Sequence, residues 1–163
     1  MANLKYSKLK LKVNKEVQNV SFVADSGEEF EIEVKQYLPI VEKIALVTEV
    51  VNKSVVNGII RKDLLGCYLS LGIIYNYTNL EFTEKALEKD GNLFDELESN
   101  GLIAVVIDGM DPQEREELEG YTESYSQQMI DSLQSSISGY TAQKEAINTG
   151  VKNMLEQLEK QEA

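Results

Sequence analysis

The chain has 163 residues, 42% of them hydrophobic and 27% charged, with 28 acidic against 16 basic side chains and a formal net charge of -12. These proportions fit one globular body with an extension, and the acidic excess opposes nonspecific binding to nucleic acid or anionic membrane, which needs clustered lysine and arginine. One cysteine and no histidine exclude an intrachain disulfide and all imidazole chemistry.

The opening MANLKYSKLKLKV spaces its lysines through apolar residues and does not read as a secretory leader. The longest nearly apolar stretch, Leu64 to Tyr75, is roughly 12 residues against the ~20 needed to cross a bilayer. A soluble protein, intracellular when made, is the expectation. Residues 8–35 read as β structure. Leu9, Leu11 and Val13 alternate with Lys8, Lys10 and Lys12, and Phe30, Ile32 and Val34 alternate with Glu29, Glu31 and Glu33. Val20 and Phe22 fall in a run between them, and Asp25-Ser26-Gly27 marks a turn. The pattern predicts an antiparallel meander with one wet face, lysine on its first strand and glutamate on its third.

Helices follow. Pro39 suits a first helical position, and Ile40, Ile44, Val47 and Val51 recur on one helical face. Asn52, Asn57 and Gly58 act as breakers before a second helix, about residues 61–77. Its apolar residues run almost all the way round, which predicts a central core helix, with Gly66 and Gly72 marking close neighbours. Residues 83–90 have helical composition, Asn92 can cap a short helix over 93–99, and Asn100-Gly101 can end it. Leu102 to Ile107 is read as helix because no partner strand is evident nearby.

Asp111-Pro112-Gln113-Glu114 is a capping box at a helix start. From there the chain stays helix-friendly to its end, with Gly120, Gly139 and Gly150 as points of bending. Leu133, Ile137, Tyr140, Ile147, Val151, Met154 and Leu158 form a four–three alternation in which Lys144 takes the one missing position. Such a narrow seam suggests helix–helix packing. One helix and two helices hinged at Ser138-Gly139 both fit. Tyr121, Tyr125 and Tyr140 stand among polar residues, as interface tyrosines do.

Catalysis finds no support. Cys67, in the most apolar helix, is expected to be buried and inert. Neither a Walker-type nor a dinucleotide-binding glycine motif occurs. Zinc lacks ligands; Asp90, Asn92, Asp95, Asp108 and Asp111 carry oxygen ligands for calcium, but not at EF-hand spacing. No cofactor and no metal are expected. Charge is segregated: residues 1–15 hold five lysines and no acid, and residues 81–123 hold 14 acidic and three basic side chains, a net of -11. A solvated helical face accounts for the acidic belt; attraction between the basic segment of one subunit and the belt of another is the functional alternative.

Two passages carry a resemblance. EVKQYLPIVEKIALVTEVVNKS and IIYNYTNLEFTEKALEKDGNLFDELESNGL, with their L-P-I-x-E-K and Y-T-N-L-x-F-T-E-K motifs, resemble a family of small proteins from the structural gene clusters of tailed bacteriophages of Gram-positive bacteria. The likeness covers roughly residues 30–105. It implies a virion component or assembly factor of neck or tail, found in the virion or in the host cytoplasm during assembly.

The expectation is therefore an α+β protein, with an N-terminal antiparallel β-meander, a mostly helical domain and long C-terminal helices. Residues 1–110 form the compact domain and 111–163 the helical extension. It is expected to act without catalysis, through contacts with its own copies and with other phage structural proteins, and not through direct contact with nucleic acid or membrane. Tyr121, Tyr125, Leu133, Ile137, Tyr140, Ile147, Val151, Met154 and Leu158 are the candidate contact residues. The alternative is an acidic inhibitor or adaptor that binds a host protein.

Overall fold

A computed structural model describes the backbone of residues 11–87 and 90–162, and the side chains of these residues except 85, 87, 90, 91 and 154–162. The architecture is α+β. An antiparallel hairpin of β1 (Val17–Val23) and β2 (Glu29–Lys35) precedes a helical body, and a long helix ends the chain. Val20 faces Ile32 and Phe22 faces Phe30 across the hairpin. Ile32 and Val34 are buried, Val20 and Phe22 half-buried, and the intervening Glu29, Glu31 and Glu33 lie outside. Alternation in sequence thus becomes one dry face and one wet face. Gly27, at φ 80°, closes the turn.

Among the described residues the hairpin has two strands, without the third of the expected meander. Leu11 and Val13 lie in irregular, exposed chain before β1, and Leu9 falls outside the described residues. Lysine-on-glutamate pairing across neighbouring strands therefore does not form at Lys12. Exposed as they are, Leu11 and Val13 contribute nothing to the core.

Helix α1 (Ile40–Lys53) buries Lys43, Leu46, Val47, Val50 and Val51. The inward face is rotated from the expected one, since Ile40 and Ile44 are exposed at 47% and 57%. Ser54 closes α1 by donating its hydroxyl to Val50 O at 2.8 Å. A small hairpin then appears where the sequence reading saw only breakers: β3 (Val55–Val56) pairs with β4 (Ile59–Ile60). Asn57 and Gly58, at φ 53° and 77°, supply the two positive angles of its turn.

Helix α2 (Lys62–Tyr77) buries Leu71, Gly72, Ile73, Ile74 and Tyr77, all in its second half. A methyl group at Gly72 would stand 3.3 Å from Leu46 and Val50, so close packing explains this glycine, while Gly66 has nothing within 4 Å. Cys67, expected to be buried, is half-exposed, with its thiol 3.4 Å from Asp63 O. Thr78 bridges back to Val34 and ties the end of α2 to the sheet.

Three short helices follow, α3 (Glu84–Leu87), α4 (Asp90–Ser99) and α5 (Leu102–Asp108). Helix α4 already begins at Asp90, so Asn92 lies inside it and does not cap it. Gly101, at φ 75°, turns the chain from α4 into α5. The run from Leu102 is helical as expected, burying Leu102, Ile103 and Val106. Helix α6 (Pro112–Glu162) is unbroken over 51 residues, passing through Gly120, Gly139 and Gly150 without interruption. The hinged alternative at Ser138-Gly139 is therefore not adopted.

Candidate interaction surface

The surface depends on how α6 is rooted. Asp111 caps the helix as expected, its Oδ1 accepting from the amides of Gln113 and Glu114 at 2.9 and 3.0 Å. Glu114 does not complete the box. Its carboxylate turns inward, where Oε1 accepts from the Leu38 amide and the Tyr77 hydroxyl, both at 2.8 Å, and Oε2 accepts from Lys43 Nζ at 2.8 Å. One side chain thereby joins α6 to α1, to α2 and to the β2–α1 junction.

Lys43 and Glu114 are 1% and 5% exposed. Unpaired charges so deep would be costly. Lys43 therefore uses a second carboxylate, Glu117, and sits 4.7 Å from the centre of the Tyr37 ring. Burial pulls the Lys43 ammonium down, but its bonds to Glu114 and Glu117 and their charges outweigh that pull and hold its pKa above the ordinary value. Burial, then Glu114, pushes the Tyr77 phenol well above its ordinary range. The bond from Lys43 holds the Glu117 carboxyl below the usual range, against partial desolvation. All three groups are proton-saturated or ion-paired near neutrality, so the cluster acts as a clamp. Sequence reasoning missed it; a lysine between apolar residues of α1 was the available signal, and it did not name a partner.

Above the clamp, α1 and α6 leave a shallow groove of about 280 Å³ lined by Ile40, Ile44, Val47, Tyr121 and Tyr125, with polar Thr48, Ser124 and Gln128. Two of the three tyrosines expected at an interface thus meet the two isoleucines whose burial was expected but did not occur. Tyr125 is half-buried against the core; Tyr121 is exposed, its hydroxyl 3.4 Å from Glu117 Oε1.

Farther along α6 the helix leaves the body. Leu118, Thr122 and Ser126 are buried and Met129, Ile130 and Leu133 half-buried, but every residue from 134 to 153 is exposed. Ile137, Tyr140, Ile147 and Val151 are 53–71% exposed. On one continuous helix their spacing brings them into a single stripe with Leu133. Met154 and Leu158 continue that spacing on helical backbone, and their side chains lie outside the described residues. The structure thus gathers two surfaces, the groove and the stripe, from one candidate list.

Among the described residues, no three histidine, cysteine, aspartate or glutamate side chains come together as metal ligands. Among them also, no helix is long and apolar enough to cross a membrane. No protein-family model matches the chain, and no similar curated protein or solved structure is found.

Proposed function

We propose that this is a non-catalytic protein of a tailed bacteriophage, a virion component or assembly factor of neck or tail, that works through protein–protein contacts made by α6. The observation that carries the contact reading is the exposed stripe on the outer half of α6. A helix standing free of its body must be stable by itself or find a partner. This one is poorly suited to stand alone. Ser135, Ser136, Ser138, Gly139, Thr141, Asn148, Thr149, Gly150 and Asn153 are all weak helix formers, and together they cost about 5 kcal/mol relative to alanine. Burial of Ile137, Tyr140, Ile147 and Val151 against another helix would offset that cost, at about 1.5–3 kcal/mol for each side chain fully buried.

The partner we favour is another copy of the chain, because a seam of this period is made to meet its like. The bacteriophage setting rests on the two resemblance segments, which fall on β2–α1 and on the passage from α2 to α5, the scaffold that holds α6. Light scattering on the purified full chain and mass spectrometry of purified particles test the reading. A self-associated species that is also found in the particle supports a virion component; self-association without incorporation supports an assembly factor. A strict monomer at high concentration that is absent from particles removes the self-associating structural role.

A further inference from the structure

The outer half of α6 also contains information about how two copies meet. With Leu133 at a d position of the heptad, Ile137, Lys144, Val151 and Leu158 take a positions and Tyr140, Ile147 and Met154 take d. The flanking e and g positions, Gln134, Ser136, Thr141, Gln143, Asn148, Gly150, Leu155 and Gln157, include no charge. Charged flanks, which commonly fix the orientation of coiled-coil helices, therefore say nothing here. Orientation falls to two other features, Lys144 within the stripe and the acidic body at its root.

A parallel, in-register pair places both Lys144 ammoniums in one layer of the seam. It also sets the two bodies side by side, each with the -11 belt of residues 81–123 near the start of α6. Both features repel. An antiparallel pair in which position i meets position 291 − i separates the bodies and moves the two Lys144 residues from one layer into neighbouring layers. Ile137 then meets Met154, Tyr140 meets Val151, Leu133 meets Leu158, and Lys144 lies on Ile147 with its aliphatic stem packed and its ammonium reaching water. Every a position finds a d position, so the seam is complementary to itself under a two-fold axis. The bodies end near Ile130, whose mate is position 161, which separates the bodies by roughly 45 Å, several times the ~8 Å screening length in physiological salt.

Resting on the self-association proposed above, we infer that two copies pair antiparallel through residues 133–158 of α6, with their acidic bodies at opposite ends. A spin label at an exposed flank tests the orientation without cutting the seam. In the full chain, Cys67→Ala removes the native thiol and Gln134→Cys, exposed on α6, carries the label. The antiparallel pair places the two labels roughly 35 Å apart, since position 134 mates with 157. A parallel pair holds them within about 20 Å, close to the ~10 Å spacing of packed helices. A pulsed-EPR distance near 35 Å supports the inference. A distance under 20 Å overturns it and leaves self-association standing. A dimer by light scattering that gives neither distance also overturns it, placing the contact elsewhere, and a monomer overturns the inference together with the reading beneath it.

Discussion

Glu114 concentrates more of the fold in one carboxylate than any other described side chain. Glu114→Ala strands the Tyr77 hydroxyl and the Leu38 amide at once and leaves the buried Lys43 ammonium with Glu117 as its one carboxylate. Removal of one partner from a buried ion pair costs about 3–5 kcal/mol, and urea denaturation should show a loss of that size. Glu114→Gln keeps the shape and the neutral hydrogen bonds but not the charge, so it should recover part of the loss. The pH dependence follows from the same groups. Lys43 and Tyr77 both have raised pKa values in the fold, so the stability they contribute is fully present below their ordinary values of 10.5 and 10.0 and is lost as pH climbs beyond them. Glu117 is depressed, so its contribution is present above its ordinary 4.5 and lost as pH falls through the lower folded value. With no histidine in the chain, urea midpoints should stay level from about pH 6 to 9 and drop on both sides, more steeply on the alkaline one.

At the scale of elements, α6 divides into a rooted part and a free part. A chain ending after Ser136 keeps Glu114, Leu118 and Thr122 and loses, among the described residues, only exposed helix, so its body should unfold within about 1 kcal/mol of the full chain, as surface changes do. Ile147→Asp and Val151→Asp act on the free part. Each places a charge in the stripe, and the full chain should then run as a monomer in light scattering and lose helical circular dichroism from the outer half, while the body stays folded. These elements also show what the sequence could and could not convey. The start of α6 was legible because Asp111-Pro112 is a local signal that needs no knowledge of the rest of the fold. The inward face of α1 was not. Periodicity groups Ile40 and Ile44 with Val47 and Val51, but which side meets the body depends on a partner 71 residues away, the carboxylate that draws Lys43 inward. The β3–β4 hairpin escaped because strands of two residues leave no alternation to read, although Asn57-Gly58 between apolar pairs was a sufficient cue. Of the candidate contact residues, the stripe was legible through its spacing. The groove was not, because half of it belongs to α1.

For the whole molecule, charge and shape act together. The body carries most of the acidic excess, and the outer half of α6 carries the exposed seam of Ile137, Tyr140, Ile147 and Val151, so the repulsive charge and the proposed contact lie at different ends of the protein. With the bodies held roughly 45 Å apart, added salt should therefore leave self-association nearly unchanged, since the seam has no flanking charge to screen. An apparent dimer affinity that stays nearly level between 50 mM and 500 mM sodium chloride, read by analytical ultracentrifugation, is the expected outcome. Association driven by the basic N-terminal segment on an acidic belt would weaken over the same range.

The unbroken course of α6 also makes it a pointer fixed at one end. From Glu114 to Glu162 the helix runs roughly 70 Å, so a tilt of about 5° at the clamp sweeps its tip through about 6 Å. Lys43, Tyr77 and Leu38 therefore aim as well as stabilise. A loosened clamp would blur where the far end of the protein lies long before it unfolded the body.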